Sequence, residues 1–141
     1  MSSLGAWTRA RPTVTITAVQ QLRVLLVDDD EDIRFLERNL FENDGRFDVV
    51  GEARNGVEAV QLSRALQPEA VLLDVLMPEM DGWEALPLIQ RVSPATEVVV
   101  VSALGRESKF NDRAVWLGAS AYIPKTDLAG SPDLVAAACK R

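Results

Sequence analysis

Apolar residues in this chain fall into short, nearly unbroken runs separated by stretches with helical spacing. Leu22, Val24, Leu25, Leu26 and Val27 make the first run, which ends in Asp28. Ile33, Leu36, Leu40 and Phe41 then recur as on one face of a helix, with Asp30 placed to cap its start. Asn43-Asp44-Gly45 breaks the pattern, and residues 47–50 read as a second strand. Asn55-Gly56 opens a second helix with Val57, Val60 and Leu66 on one side, closed before Pro68. Residues 70–73 are a third run ending in Asp74, followed by a loop with Pro78 and an Asp81-Gly82 turn. A third helix carries Trp83, Leu86 and Ile89, with Pro87 expected near its first turn, where a missing N–H matters least. Residues 97–101 are a fourth run ending in Ser102, and a fourth helix with Phe110, Ala114 and Leu117 stops at Gly118. Residues 121–124 lead to Lys125, and Ser131-Pro132-Asp133 supplies a cap, an N1 proline and an acid for a last helix reaching Arg141.

Runs such as residues 98–101 show no polar alternation, as expected of strands buried on both faces of a parallel sheet. Five such strands alternating with five helices predict an α/β fold, a doubly wound parallel sheet with right-handed crossovers. Pro124 inside the fifth run predicts an edge strand, which tolerates one missing donor. The length of 141 residues suits one core, read here as residues 22–141 behind a flexible leader, residues 1–21. No apolar run is long enough to span a membrane.

Charge narrows the chemistry. The net charge is −6, and the first acidic residue is Asp28, so the acidity lies in the body of the chain. That disfavours nucleic-acid binding and suits a cation site or a basic partner surface. There is no histidine, so a metal must be held by oxygen, and the single cysteine, Cys139, fits a reducing cytoplasm.

Four strand ends carry polar groups: Asp28-Asp29, Asp74, Ser102 and Lys125. Ligands bind outside the carboxyl ends of an open parallel sheet, so these groups are expected to converge on one cleft. Three carboxylates together repel unless a cation joins them, and a hard, oxygen-bound ion such as Mg2+ is implied. A lysine ammonium and a hydroxyl opposite such an ion would bind phosphoryl oxygens, and the central carboxylate is a competent nucleophile. The pattern points to an aspartyl-phosphate acceptor.

Over about residues 22–140 the sequence resembles the response-regulator receiver family of two-component signalling. The matching stretches are Val24-Leu25-Leu26-Val27-Asp28-Asp29-Asp30, Leu73-Asp74-Val75-Leu76-Met77-Pro78-Glu79-Met80-Asp81-Gly82, Val101-Ser102-Ala103 and Gly118-Ala119-Ser120-Ala121-Tyr122-Ile123-Pro124-Lys125. The resemblance implies a flavodoxin-like sheet of order 2-1-3-4-5 and phosphorylation of Asp74 by a histidine kinase or histidine phosphotransfer protein. It implies Asp28 and Asp29 as the acidic pair for Mg2+, with Asp74 and the Leu76 backbone carbonyl as further ligands. Ser102 would be the switch hydroxyl, Lys125 the phosphoryl-binding lysine, and Tyr122 the aromatic that moves with Ser102. A second copy or an output partner would dock on the face of the fourth helix, fifth strand and fifth helix. The chain departs from the family after the lysine, where a cis-bonded proline is common. Here Thr126 follows, and a cis Lys125–Thr126 bond without proline would cost roughly 3 kcal/mol. Leu76 and Leu104, two residues past Asp74 and Ser102, offer no polar group to orient an attacking water, which predicts slow self-dephosphorylation.

Plainer roles account for other residues. Asp30, Glu31 and Asp32 suit a dipole-favoured helix start. Trp83 and Trp116 fit core or interface, and Met77, Pro78 and Met80 shape the loop near Asp74. Two rival functions remain: a magnesium-dependent phosphohydrolase with Asp74 as nucleophile, and an interaction module that keeps the fold without being phosphorylated.

Overall fold

The computed structural model describes residues 20–104 and 108–140. Among them five strands and five α-helices alternate: β1 (Leu22–Val27), α1 (Glu31–Asp44), β2 (Phe47–Ala53), α2 (Gly56–Leu66), β3 (Ala70–Asp74), α3 (Gly82–Val92), β4 (Glu97–Ser102), α4 (Ser108–Trp116), β5 (Ala121–Pro124) and α5 (Ser131–Ala138). A 3-10 segment, Lys125–Gly130, joins β5 to α5. The strands form one parallel sheet of order β2-β1-β3-β4-β5, with the proline-bearing β5 at an edge as expected. All but the last residues of the leader (residues 1–21) lie outside the described residues, as does Arg141.

Alternate residues of each strand feed two separate cores, which explains the absence of polar alternation. Leu25, Val27, Val71, Leu73, Val98 and Val100 meet Ala59 of α2, Trp83, Leu86 and Ile89 of α3, and Ala114 of α4. Val24, Leu26, Ala70, Leu72, Val99 and Val101 meet Phe41 of α1 and Val135 of α5. Helix starts follow the local signals. Asp30 accepts from Asp32 N–H at 2.9 Å, and Asn55 accepts from Glu58 N–H at 2.8 Å. Gly45 ends α1 at φ 89°, in the left-handed region that glycine enters without strain.

Several local expectations need correction. Asp81-Gly82 is a helix start: Asp81 accepts from Glu84 N–H while Glu84 accepts from Asp81 N–H, a reciprocal cap. Pro87 therefore sits in the second turn of α3, where its missing N–H leaves the Trp83 carbonyl without its helical donor. Ser131 does not cap α5 but is its first residue, and its hydroxyl donates to the Leu128 carbonyl at 2.6 Å. The last helix ends at Ala138, short of Arg141, and β2 runs on to Ala53. The buried side of α1 holds Arg34, Glu37 and Phe41, while Leu36 is half-exposed. Trp116 is 85% exposed, so it is no core residue.

Candidate functional site

The topology brings the four strand-end groups together beside β1, β3, β4 and β5. Asp28 follows β1 and is fully buried. Its N–H donates to the Ala53 carbonyl at 3.1 Å, and its Oδ1 accepts from Asp30 N–H at 2.9 Å. Asp74 closes β3 in register with Val101 of β4 and is also buried. Ser102 pairs with Pro124 across β4 and β5, which places Lys125 next to it. Lys125 Nζ stands 2.8 Å from Asp28 Oδ2 and 3.3 Å from Asp74 Oδ1. Asp29 is exposed, yet carboxylate oxygens of Asp28, Asp29 and Asp74 lie within 4.8 Å of one another.

Electrostatics follow from this crowding. Burial, and then the charge of Asp28, push the Asp74 carboxyl up to about 7 against the opposing pull of Lys125. Burial also raises Asp28, although hydrogen bonds from Lys125 and the Asp30 amide oppose it. For Lys125 burial acts downward, but its contacts with Asp28 and Asp74 more than offset this and raise it. Among the described residues, neither oxygen of Asp74 has a hydrogen-bond donor beyond the Lys125 contact. Buried oxygens left in that state call for an external partner. Three oxygen donors with no nitrogen or sulfur fit a hard divalent cation and suit neither zinc nor copper.

The remaining predicted residues fall around this centre. Ser102 is buried, and its Oγ accepts from Leu104 N–H at 3.0 Å, tying the hydroxyl to the loop that leads to α4. Tyr122 is partly buried and packs, with Leu104, against the core on the α2–α4 side. Leu76 is 53% exposed in the loop after Asp74. Described peptide bonds include no cis bond, so Lys125–Thr126 is trans.

Sequence reasoning missed four contributors. A Cβ on Gly82 would run into the Asp74 carbonyl, so only glycine lets α3 start against the strand end. Gly56 is similarly closed by Met80, whose carbonyl accepts from Gly56 N–H at 3.1 Å. Asp81-Gly82 reads as a turn and Asn55-Gly56 as a helix start, and no local signal marks either glycine as a point of close approach. Arg34 and Glu37 were hidden because polar residues at helical spacing ordinarily face water.

A family model for the response regulator receiver domain matches residues 24–137. The chain belongs to that family. This receiver is 41% identical over 104 residues to a chemotaxis protein CheY of Listeria monocytogenes, covering 74% of this chain and 86% of that one. The response regulator domain of Thermotoga maritima CheB has a similar fold, with TM-score 0.75, 31% identity, and 84% and 94% of the two chains covered. CheY in the CheX-CheY-BeF3-Mg complex of Borrelia burgdorferi gives TM-score 0.81 at 27% identity, covering 91% and 96%. Receivers are signalling switches of two-component systems, and this one holds an acidic cluster able to accept a metal ion. None of its described helices is long and apolar enough to cross a membrane.

Proposed function

We propose that this receiver is the phosphoacceptor of a two-component response regulator, taking a phosphoryl group on Asp74 from a phosphohistidine donor. The observation that carries this reading is Asp74 itself: a buried strand-end carboxyl whose one donor contact among the described residues is Lys125 at 3.3 Å, beside two more carboxyl groups. In the reaction an Asp74 oxygen forms the new bond to phosphorus. The phosphorus–nitrogen bond to the donor imidazole breaks, and its electron pair leaves on that nitrogen.

Asp28, Asp29, Asp74 and the Leu76 carbonyl would hold Mg2+, an assignment supported by the all-oxygen donor set. Held there, such an ion would supply charge neutralisation for the phosphoryl oxygens. Lys125 exchanges its Asp74 contact for a phosphoryl oxygen, and the Ser102 hydroxyl donates to another. Movement of Ser102 pulls the Leu104 amide bonded to it, and Tyr122 follows on the same side of the sheet. The switch then biases the α4–β5–α5 face toward an output partner or a second copy. The donor is a histidine kinase or a histidine phosphotransfer protein, and the setting is cytoplasmic. Residues 22–141 form the receiver and residues 1–21 a leader, with no nucleic-acid or membrane binding by this chain itself. Apolar Leu76 and Leu104 support slow self-dephosphorylation.

Intact mass after incubation with acetyl phosphate tests the reading. A Mg2+-dependent phosphoryl adduct on the natural chain that vanishes in Asp74→Asn is expected. No adduct where another receiver is labelled would overturn it and favour a phosphate-free interaction module. Rapid turnover of a phosphomonoester would favour a phosphohydrolase.

A further inference from the structure

We propose that Arg34 is a positioning residue for the cation pocket, clamping the Asp28–Asp29 peptide from the inner face of α1. The proposal rests on the reading of Asp28 and Asp29 as cation ligands. The ladder of β1 with its neighbours runs only to Val27, so the Asp28 carbonyl lies beyond the last paired strand residue. Its donor is the Arg34 guanidinium, NH1 to O at 2.7 Å, in a buried contact. Arg34 is 8% exposed, and its Nε donates to Glu52 Oε1 on β2 at 2.9 Å. The other Glu52 oxygen accepts from Arg38 Nε at 2.7 Å, and Arg38 also pairs with Glu42 at 2.8 Å. One planar fork therefore ties the carbonyl of the first acidic residue to a fixed point on the neighbouring strand.

The peptide plane explains why this reaches the pocket. The Asp28 carbonyl and the Asp29 amide belong to one rigid unit, so fixing the carbonyl fixes the direction in which Asp29 leaves the strand. Asp28 is thus held at its N–H by Ala53, at Oδ1 by the Asp30 amide and at its carbonyl by Arg34. Without the last hold, the exposed Asp29 would sample more directions, and the carboxylates would converge less often.

A rival effect has the opposite sign. Arg34 is a cation near the pocket, and deleting its charge alone would strengthen attraction for Mg2+. Pairing with Glu52 already neutralises much of that charge, so positioning dominates. Groups that orient metal ligands typically contribute a tenfold or larger share of affinity.

The test is a Mg2+ titration followed by backbone amide chemical shifts, which needs no phosphorylation. In Arg34→Met the midpoint should rise roughly tenfold while the amide spectrum stays dispersed. Arg34→Met with Glu52→Met removes both charges and should also rise. Arg34→Lys keeps the charge but loses the fork, and its midpoint should rise by less than that of Arg34→Met. A folded Arg34→Met with a midpoint at or below the natural one would overturn the proposal. If Arg34→Met does not fold, an unchanged midpoint in Arg34→Lys overturns it instead. Acetyl phosphate labelling of the natural chain separates the two readings. Labelling with an unshifted Arg34→Met sinks only the clamp, whereas Mg2+ binding without labelling sinks only the phosphoacceptor reading.

Discussion

Asp74 at the open end of the sheet and Glu37 beneath α1 are both carboxyl groups removed from water, and they meet different surroundings. Asp74 has the Lys125 ammonium within 3.3 Å at the carboxyl end of the sheet, and its carboxyl is pushed up to about 7. Glu37 is 1% exposed, its Oε1 has no hydrogen-bond partner among the described residues, and it is pushed up to about 9. Burial is the largest cause in both, followed by the charge of Asp28. A contact cation at the cleft keeps Asp74 close to ionisation. Glu37 has Arg34 one turn away, but that guanidinium is already engaged by Glu52 and the Asp28 carbonyl, so Glu37 keeps its proton.

The largest expected effect breaks the Asp74 side of this contrast. Lys125→Met leaves Asp28 and Asp74 buried without their ammonium, and should destabilise the chain by about 3 kcal/mol in urea melts without divalent ions. Added Mg2+ should return part of that loss, and an unchanged melt would show that the two carboxylates do not depend on Lys125. Next in size, Glu37→Met removes an acid with an unsatisfied buried oxygen while keeping an unbranched chain. It should stabilise the chain by about 2 kcal/mol near pH 7.

The same variant sharpens the comparison through pH. Glu37 holds its proton to about 9 in the fold, against an ordinary value of 4.5. The folded state therefore binds the extra proton between those values, and stability falls as pH rises through that window. Urea melts from pH 5 to 9 should lose this share of their decline in Glu37→Met. The smallest effect is a surface control. Arg46 bridges Asp44 at 2.6 Å and Asp133 at 2.7 Å, but its side chain is 46% exposed and that of Asp133 is 87% exposed. Arg46→Ala should leave stability little changed in urea melts, and raised salt should shrink what difference there is.

Much of the fold was legible because it depends on local rules. A strand buried on both faces must be apolar throughout, and Asp30, Asn55 and Gly45 do their work within a few residues of their own position. The strand-end groups were legible for a related reason, since a polar residue directly after a buried run has only the sheet's edge to occupy. Errors gathered where packing between distant segments outweighs local preference. Asp81-Gly82 carries turn chemistry, yet a glycine was needed to bring a helix start against the Asp74 carbonyl. Ser131 carries cap chemistry, yet the 3-10 segment before it supplied a carbonyl for its hydroxyl.

Apolar periodicity and strand-end polarity were enough to expect a parallel α/β sheet with polar groups gathered at its carboxyl end, and the four matching motif stretches were what pointed to a receiver. Which polar residues lie inside was decided by the tertiary structure alone. Arg34 and Glu37 occupy the inner face of α1 beside Phe41, while Phe35 and Leu36 face outward. A helix sequence states which residues share a face, but the face that meets the sheet is chosen by the whole contact. Here that contact includes a backbone carbonyl at the end of β1 and a glutamate on β2, groups that local spacing does not bring together.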